Sequence, residues 1–86
     1  MFEDALIAWD DHDDAHGNVQ HITHNGVSKE EFEFILTSPH SRRGRIRSSG
    51  RQTAWGDGPD GREIFIVYEI ESTNPLVIRP VTAYEP

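Results

Sequence analysis

The chain contains no cysteine. That excludes disulfide bonds, a thiol nucleophile and thiolate metal ligands, and it fits a cytoplasmic setting. No apolar run approaches the ~20 residues that cross a bilayer, so no membrane association is expected. The opening stretch, MFEDALIAWDDHDD, is acidic and has no basic n-region, so it does not read as a secretory signal. Several catalytic signatures are missing as well. There is no HExxH, no EF-hand spacing, no P-loop lysine and no GxSxG, which leaves Ser48 and Ser49 without support as nucleophiles.

Positive charge is also scarce. Eight basic residues stand against 15 acidic ones, for a formal net charge of −7. The average conceals a segregation. Residues 3–14 hold six acids and no lysine or arginine, whereas residues 42–51 hold five arginines: Arg42, Arg43, Arg45, Arg47 and Arg51. Arginine presents a planar fork of donors that matches phosphate or carboxylate at two points. The molecule as a whole repels nucleic acid at long range, yet this one loop is suited to an anion.

With 86 residues the chain is expected to form one domain, residues 1–86, around a small core. A core of that size makes a protein partner or a homodimer a reasonable expectation. The pattern reads β-α-α-β-β-β. ALIAWD is a short first strand. Ala15, Val19 and Ile22 follow at helical spacing, with Asp13 or Asp14 as a cap and Asn25-Gly26 as a stop, although Gly17 disfavours helix by about 1 kcal/mol against Ala. Ser28 and Glu31 write a capping box for a second helix, whose stripe is Phe32, Ile35 and Leu36 and which Pro39 ends. RIRSSGRQTAW holds short strand segments around a turn at Ser48-Ser49-Gly50, and Pro59-Asp60-Gly61 is a hairpin tip. EIFIVYEI reads as a central strand, ESTNP as a turn and LVIRPVTAY as the last strand, with Pro80 at an edge or bulge. The fold class is α+β: two helices packed on a three- to four-stranded antiparallel sheet.

Two constellations carry chemistry. His12, His16, His21 and His24 lie close together, in pairs four and three apart, and with the nearby aspartates they resemble a metal site. The plainer reading is an exposed polar helix face, and it is preferred because a ligand set usually needs a second element. The arginine loop is the other. Read functionally, Arg42, Arg43, Arg45 and Arg47 bind a phosphodiester substrate. Arg51, Arg62 and Arg79 stabilise phosphate charge, and Tyr68, Tyr84 or His21 moves protons. Those parts suffice for RNA cleavage by the neighbouring 2′-hydroxyl with no metal and no cofactor. Read plainly, the arginines pair with the acidic segment or with an acidic partner chain, and such surface pairs contribute little stability.

Trp9-Asp10, Asn18, HITHNGVSKEEFEFIL, Pro39, SGR, GREIFIVYE and the closing VIRPVTAYE, in this order and spacing, resemble the BrnT-type toxins of bacterial toxin–antitoxin systems. The resemblance spans nearly the whole chain and is nearest to members with a front half of the form W…HI…HGV…EE. It implies a RelE-like fold, metal-independent endoribonuclease activity or a weakened descendant of it, and a small DNA-binding antitoxin as partner. Arg51 falls on the family's GR position, Arg62 and Tyr68 on its strand motif, and His21 on the histidine of HI. Asn25-Gly26-Val27 stands where the family has HGV, and Tyr84 where many members have arginine. The alternative is a non-catalytic protein-binding module on the same scaffold. A ribonuclease requires Arg51, Arg62 and Arg79 to converge in one concave patch with a tyrosine.

Overall fold

In the computed structural model, which describes residues 2–86, the capping box forms as the sequence requires. The Ser28 hydroxyl accepts from the Glu31 amide at 3.1 Å, and the Glu31 carboxylate accepts from the Ser28 amide at 3.0 Å. That reciprocal pair satisfies two of the amides a helix start leaves open. Helix α2 then runs Lys29–Thr37 and buries Phe32, Ile35 and Leu36. Helix α1 is shorter than its apolar spacing predicts, at Asn18–His24. Residues 11–17 are two turns instead, closed by Asp14 N–H to Asp11 O and Gly17 N–H to Asp14 O, both 3.0 Å. Neither Asp13 nor Asp14 caps the helix; Gly17 occupies that position. A side chain there would lie 2.8 Å from the Asp10 Cβ, so the glycine permits a close crossing of the two segments.

The sheet corrects the expectation of three or four antiparallel strands. Among the described residues it has five and is mixed, in the order β1-β5-β4-β3-β2. Strands β3 (Gln52–Asp57), β4 (Glu63–Thr73) and β5 (Leu76–Tyr84) form an antiparallel meander. Strand β1 (Leu6–Ile7) precedes both helices and returns beside β5 in parallel, Leu6 opposite Val77. Strand β2 (Arg42–Arg43) adds antiparallel to β3. The expected first strand is present but shortened to Leu6–Ile7, whereas the two residues of β2 leave no period to read, which is why the pattern misses that strand. The expected ESTNP turn is also shorter, because β4 continues to Thr73. Pro80 sits at a register shift, where Tyr68 faces Pro80 but Val67 faces Thr82. A bulge needs no ladder donor there, so proline fits.

Alternation along the meander divides the sheet into two faces. Ala54, Ile64, Ile66, Tyr68, Ile78 and Ala83 meet Ile22, Val27, Phe32, Ile35 and Leu36 from the helices, and all are buried. Truncating a residue such as Phe32 in this core costs about 3–5 kcal/mol. The opposite face has no helix over it. There the register aligns Trp55, Phe65 and Tyr84 in one row and Thr53, Val67 and Thr82 in the next. Glu69 and Arg79 stand opposite each other in a third row, where Arg51 bonds Glu69. No helix among the described residues is long and apolar enough to cross a membrane.

Candidate functional site

The arginine loop lies along the helix-free face of β3. Arg42 and Arg43 pair with Trp55 and Ala54. Beyond them the Gly44 amide donates to the Thr53 carbonyl at 2.9 Å, and the Thr53 hydroxyl donates to the Arg45 carbonyl at 2.8 Å. A Cβ on Gly44 would collide with the Thr53 hydroxyl and press Trp55, so only glycine lets the loop lie this close. The loop turns at Ser48–Gly50, with Gly50 at φ +84 and its amide on the Arg47 carbonyl. Between loop and sheet runs an open groove of about 890 Å³, lined by Arg43, Arg45, Ile46, Arg47, Trp55 and Phe65. Ile46 at the tip is 64% exposed.

Charge in the loop is unmatched. Outside it, Arg62 and Arg79 hold carboxylates, as does Arg51 at its end: Arg51 to Glu69 at 3.0 Å, Arg62 to Glu31 at 2.7 Å and Arg79 to Asp10 at 3.0 Å. Among the described residues, Arg42, Arg43, Arg45 and Arg47 have no carboxylate within 4.0 Å. Arg43 instead lies 4.9 Å over the ring of Phe2. Four unmatched cations in a chain of net charge −7 make a local positive field that the chain total hides.

Where α1 meets β5, His16, Asn18 and His21 close a small concavity of about 210 Å³ with Asp10, Arg51, Glu69 and Arg79. Asn18 organises it. Its Nδ2 donates to the Ala8 and Pro80 carbonyls, each at 3.1 Å, and its Oδ1 accepts from the Asp10 amide at 2.9 Å. The Asn18 amide in turn donates to the Asp10 carboxylate. That hydrogen bond, reinforced by the Arg79 guanidinium, holds the Asp10 carboxyl below the usual carboxylate range. The parts at hand are two imidazoles, side chains that can donate or accept a proton, and two guanidiniums able to balance phosphate charge. Both guanidiniums are presently paired, so an incoming phosphate must displace Glu69 or Asp10.

The residues singled out in the sequence thus fall into several places. His21, Arg51 and Arg79 share the concavity. Tyr84 is in the aromatic row, its ring 5.3 Å from that of Phe65. Tyr68 is in the core at 1% exposure, edge-on to Phe2, and burial pushes its hydroxyl pKa up. Arg62, in the hairpin before β4, reaches the start of α2, donating to the Gly26 carbonyl at 2.9 Å and to Glu31, and so does not meet Arg51 and Arg79. Arg43, Arg45 and Arg47 border the loop groove, with the Arg43 guanidinium turned over Phe2, whereas Arg42 lines a separate hollow with Trp55, Asp57 and Glu63. Of the histidines, His12 pairs with Asp13 at 3.1 Å, while His21 and His24 border a shared hollow. Among the described residues, no three histidine, aspartate or glutamate side chains gather closely enough to hold a metal ion.

Sequence reasoning passed over Trp55, Phe65 and Asp10 as site residues and weighed His16 only as a metal ligand. The first two carried a usable signal. A hairpin tip centred on Asp60 pairs residues equidistant from it, which sets Trp55 opposite Phe65. Asp10 and His16 are brought in by the turns of residues 11–17, which no periodicity announces. No family model matches the chain, and no curated protein matches it.

Proposed function

We propose that this protein is the toxin component of a toxin–antitoxin pair, of the BrnT/RelE-like type, and that it acts on RNA without a metal. The observation that carries the reading is the set of four arginines with no carboxylate within 4.0 Å, of which Arg45 and Arg47 line the groove on the helix-free face, together with the concavity that His21, Arg51 and Arg79 share. Two helices on one face of an antiparallel meander also suit the scaffold that the sequence resemblance implies. In this reading Arg42, Arg43, Arg45 and Arg47 bind the RNA backbone. The ribose 2′-hydroxyl attacks the adjacent phosphorus as His21 takes its proton. The bond to the 5′ oxygen breaks, and that oxygen receives a proton from His16 or water. Arg51 and Arg79 balance the charge on the phosphoryl oxygens once Glu69 and Asp10 release them. The products are a 2′,3′-cyclic phosphate and a 5′-hydroxyl. A small DNA-binding antitoxin is the neutralising partner.

One observation favours a second reading. Arg51 and Arg79 are already neutralised at hydrogen-bond distance, as expected of a non-catalytic module that keeps only the binding loop. Expression in bacteria separates the two. Growth arrest and loss of bulk RNA, relieved by His21→Ala and Arg51→Ala in proteins that still fold, supports the ribonuclease. Normal growth with intact RNA, from soluble folded protein, refutes it and leaves the binding module.

A further inference from the structure

We infer that the tip of the arginine loop of one copy of this chain docks into a groove between β1 and α2 of a second copy, so that copies associate head to tail; the inference stands apart from the RNA reading. The groove holds about 570 Å³ and is lined by Ala5, Leu6, Ile7 and Phe34, with Glu30 and Glu33 on its rim. Leu6 is 60% exposed and Phe34 43%. Single exposed apolar side chains are ordinary, but two that share one hollow mark a contact surface. Charge on the rim is unmatched. Among the described residues, no cation lies within 4.0 Å of Glu30 or Glu33, nor of the neighbouring Glu3 and Asp4. Glu33 accepts from the Trp9 indole, and Lys29, the chain's single lysine, lies over the Trp9 ring instead of pairing with either glutamate.

The loop tip carries the complement. Ile46 is the most exposed large apolar residue among those described, and it stands between Arg45 and Arg47, which have no carboxylate within 4.0 Å. In the contact Ile46 enters between Leu6 and Phe34, and the two arginines meet Glu30 and Glu33. The fold makes this contact intermolecular. Strands β1 and β2 are at opposite edges of the sheet, and the loop lies on the helix-free face whereas α2 packs on the other. A chain therefore cannot fill its own groove with its own loop. A second copy that inserts its loop leaves its own groove open, so the contact is heterologous and repeats. The net charge of −7 repels copies at long range, but near 0.15 M salt that repulsion fades beyond about 8 Å, while pairs in contact persist. A basic segment of another protein would meet the same rim, but this chain already carries an apolar tip flanked by two unmatched cations.

The test is sedimentation velocity of the full chain over a hundredfold range of concentration, in salt near 0.15 M. The weight-average sedimentation coefficient is expected to rise with concentration. Ile46→Ser is expected to weaken the association about 10- to 100-fold, the factor for withdrawing one aliphatic side chain from an apolar contact. Two double variants then separate the surfaces: Ile46→Ser/Arg47→Ser in the loop and Leu6→Lys/Glu30→Lys in the groove, all at exposed positions. Each alone should stay monomeric. Mixed, they should form a 1:1 complex that grows no further, because one supplies the intact groove and the other the intact loop. Circular dichroism checks that both fold. A wild-type chain that stays monomeric throughout overturns the inference whether or not the variants fold, and leaves the groove to a partner other than this chain. Association that survives in either double variant, or folded variants that do not combine on mixing, also overturns it.

Discussion

Replacing Asn18 with alanine tests whether one buried amide organises the end of the sheet that holds the small concavity. Asn18 is 5% exposed and its side chain makes three hydrogen bonds, to the Ala8 carbonyl, the Pro80 carbonyl and the Asp10 amide. Each is worth about 1 kcal/mol net, and the Pro80 carbonyl would be left buried without this partner. The expected loss is therefore about 3 kcal/mol, a large share of the 5–15 kcal/mol typical of a whole domain. For a chain of this size that corresponds to a fall in melting temperature of about 12–24 °C. Urea unfolding followed by circular dichroism reads the loss directly, as a lower midpoint with an unchanged slope. Asn18→Asp gives the contrast, since it keeps an acceptor for the Asp10 amide but turns carboxylate oxygen toward two carbonyls and one aspartate. It should be at least as destabilising near neutral pH and recover partly in acid. An alanine variant within ~0.5 kcal/mol of the parent would refute the reasoning, because water would then be replacing the amide at no cost.

Three further outcomes are expected. If the four loop arginines meet four phosphates, log K for single-stranded RNA should fall with log salt at a slope of about −2.8, roughly 50-fold between 50 and 200 mM, and Arg43→Ala should remove about 0.7 of that slope; a flat salt series would exclude backbone contact. Glu31 is held below its ordinary value of 4.5, first by Arg62 and then by the Ser28 amide. A depressed carboxylate stabilises the fold above its unfolded pKa and loses that contribution as pH falls through the folded value, so Glu31→Gln should flatten the acid limb of a stability-against-pH curve. Gly44→Ala should lift the arginine loop from β3 and weaken RNA binding by anisotropy while the helices and their core keep their circular dichroism signal; unchanged affinity would mean that the loop need not lie on the sheet.

Much of the fold is legible because its signals are local. Ser28 and Glu31 define a helix start within four residues, and the glycines flanking Asp60 define a hairpin whose register then follows. What escapes the sequence depends on distant partners. The strand expected over ALIAWD forms at Leu6–Ile7, but its parallel pairing with Val77 and Ile78 depends on an edge that lies far along the chain. Asp14 looks like a helix cap until Gly17 and Asp10 claim the space around it. The site divides in the same way. A cluster of arginines is visible as composition, but which arginines are already matched is a property of the fold. Arg62 and Arg51 look alike in the sequence; one ties α2 to the β3–β4 hairpin and the other faces the concavity.

The two-residue strand Arg42–Arg43 has a consequence for how the protein behaves in a crowded solution. It is the outermost strand beyond β3, and a sheet edge is where chains of the same kind add to one another. A short edge carrying adjacent arginines repels a second copy of itself, and the loop that continues from it occupies the remaining Thr53 backbone acceptor through Gly44. Arg42 and Arg43 therefore keep β3 from recruiting another sheet. Neutralising Arg42 and Arg43 together should lower solubility, so drift in this segment is constrained by aggregation whatever the loop binds.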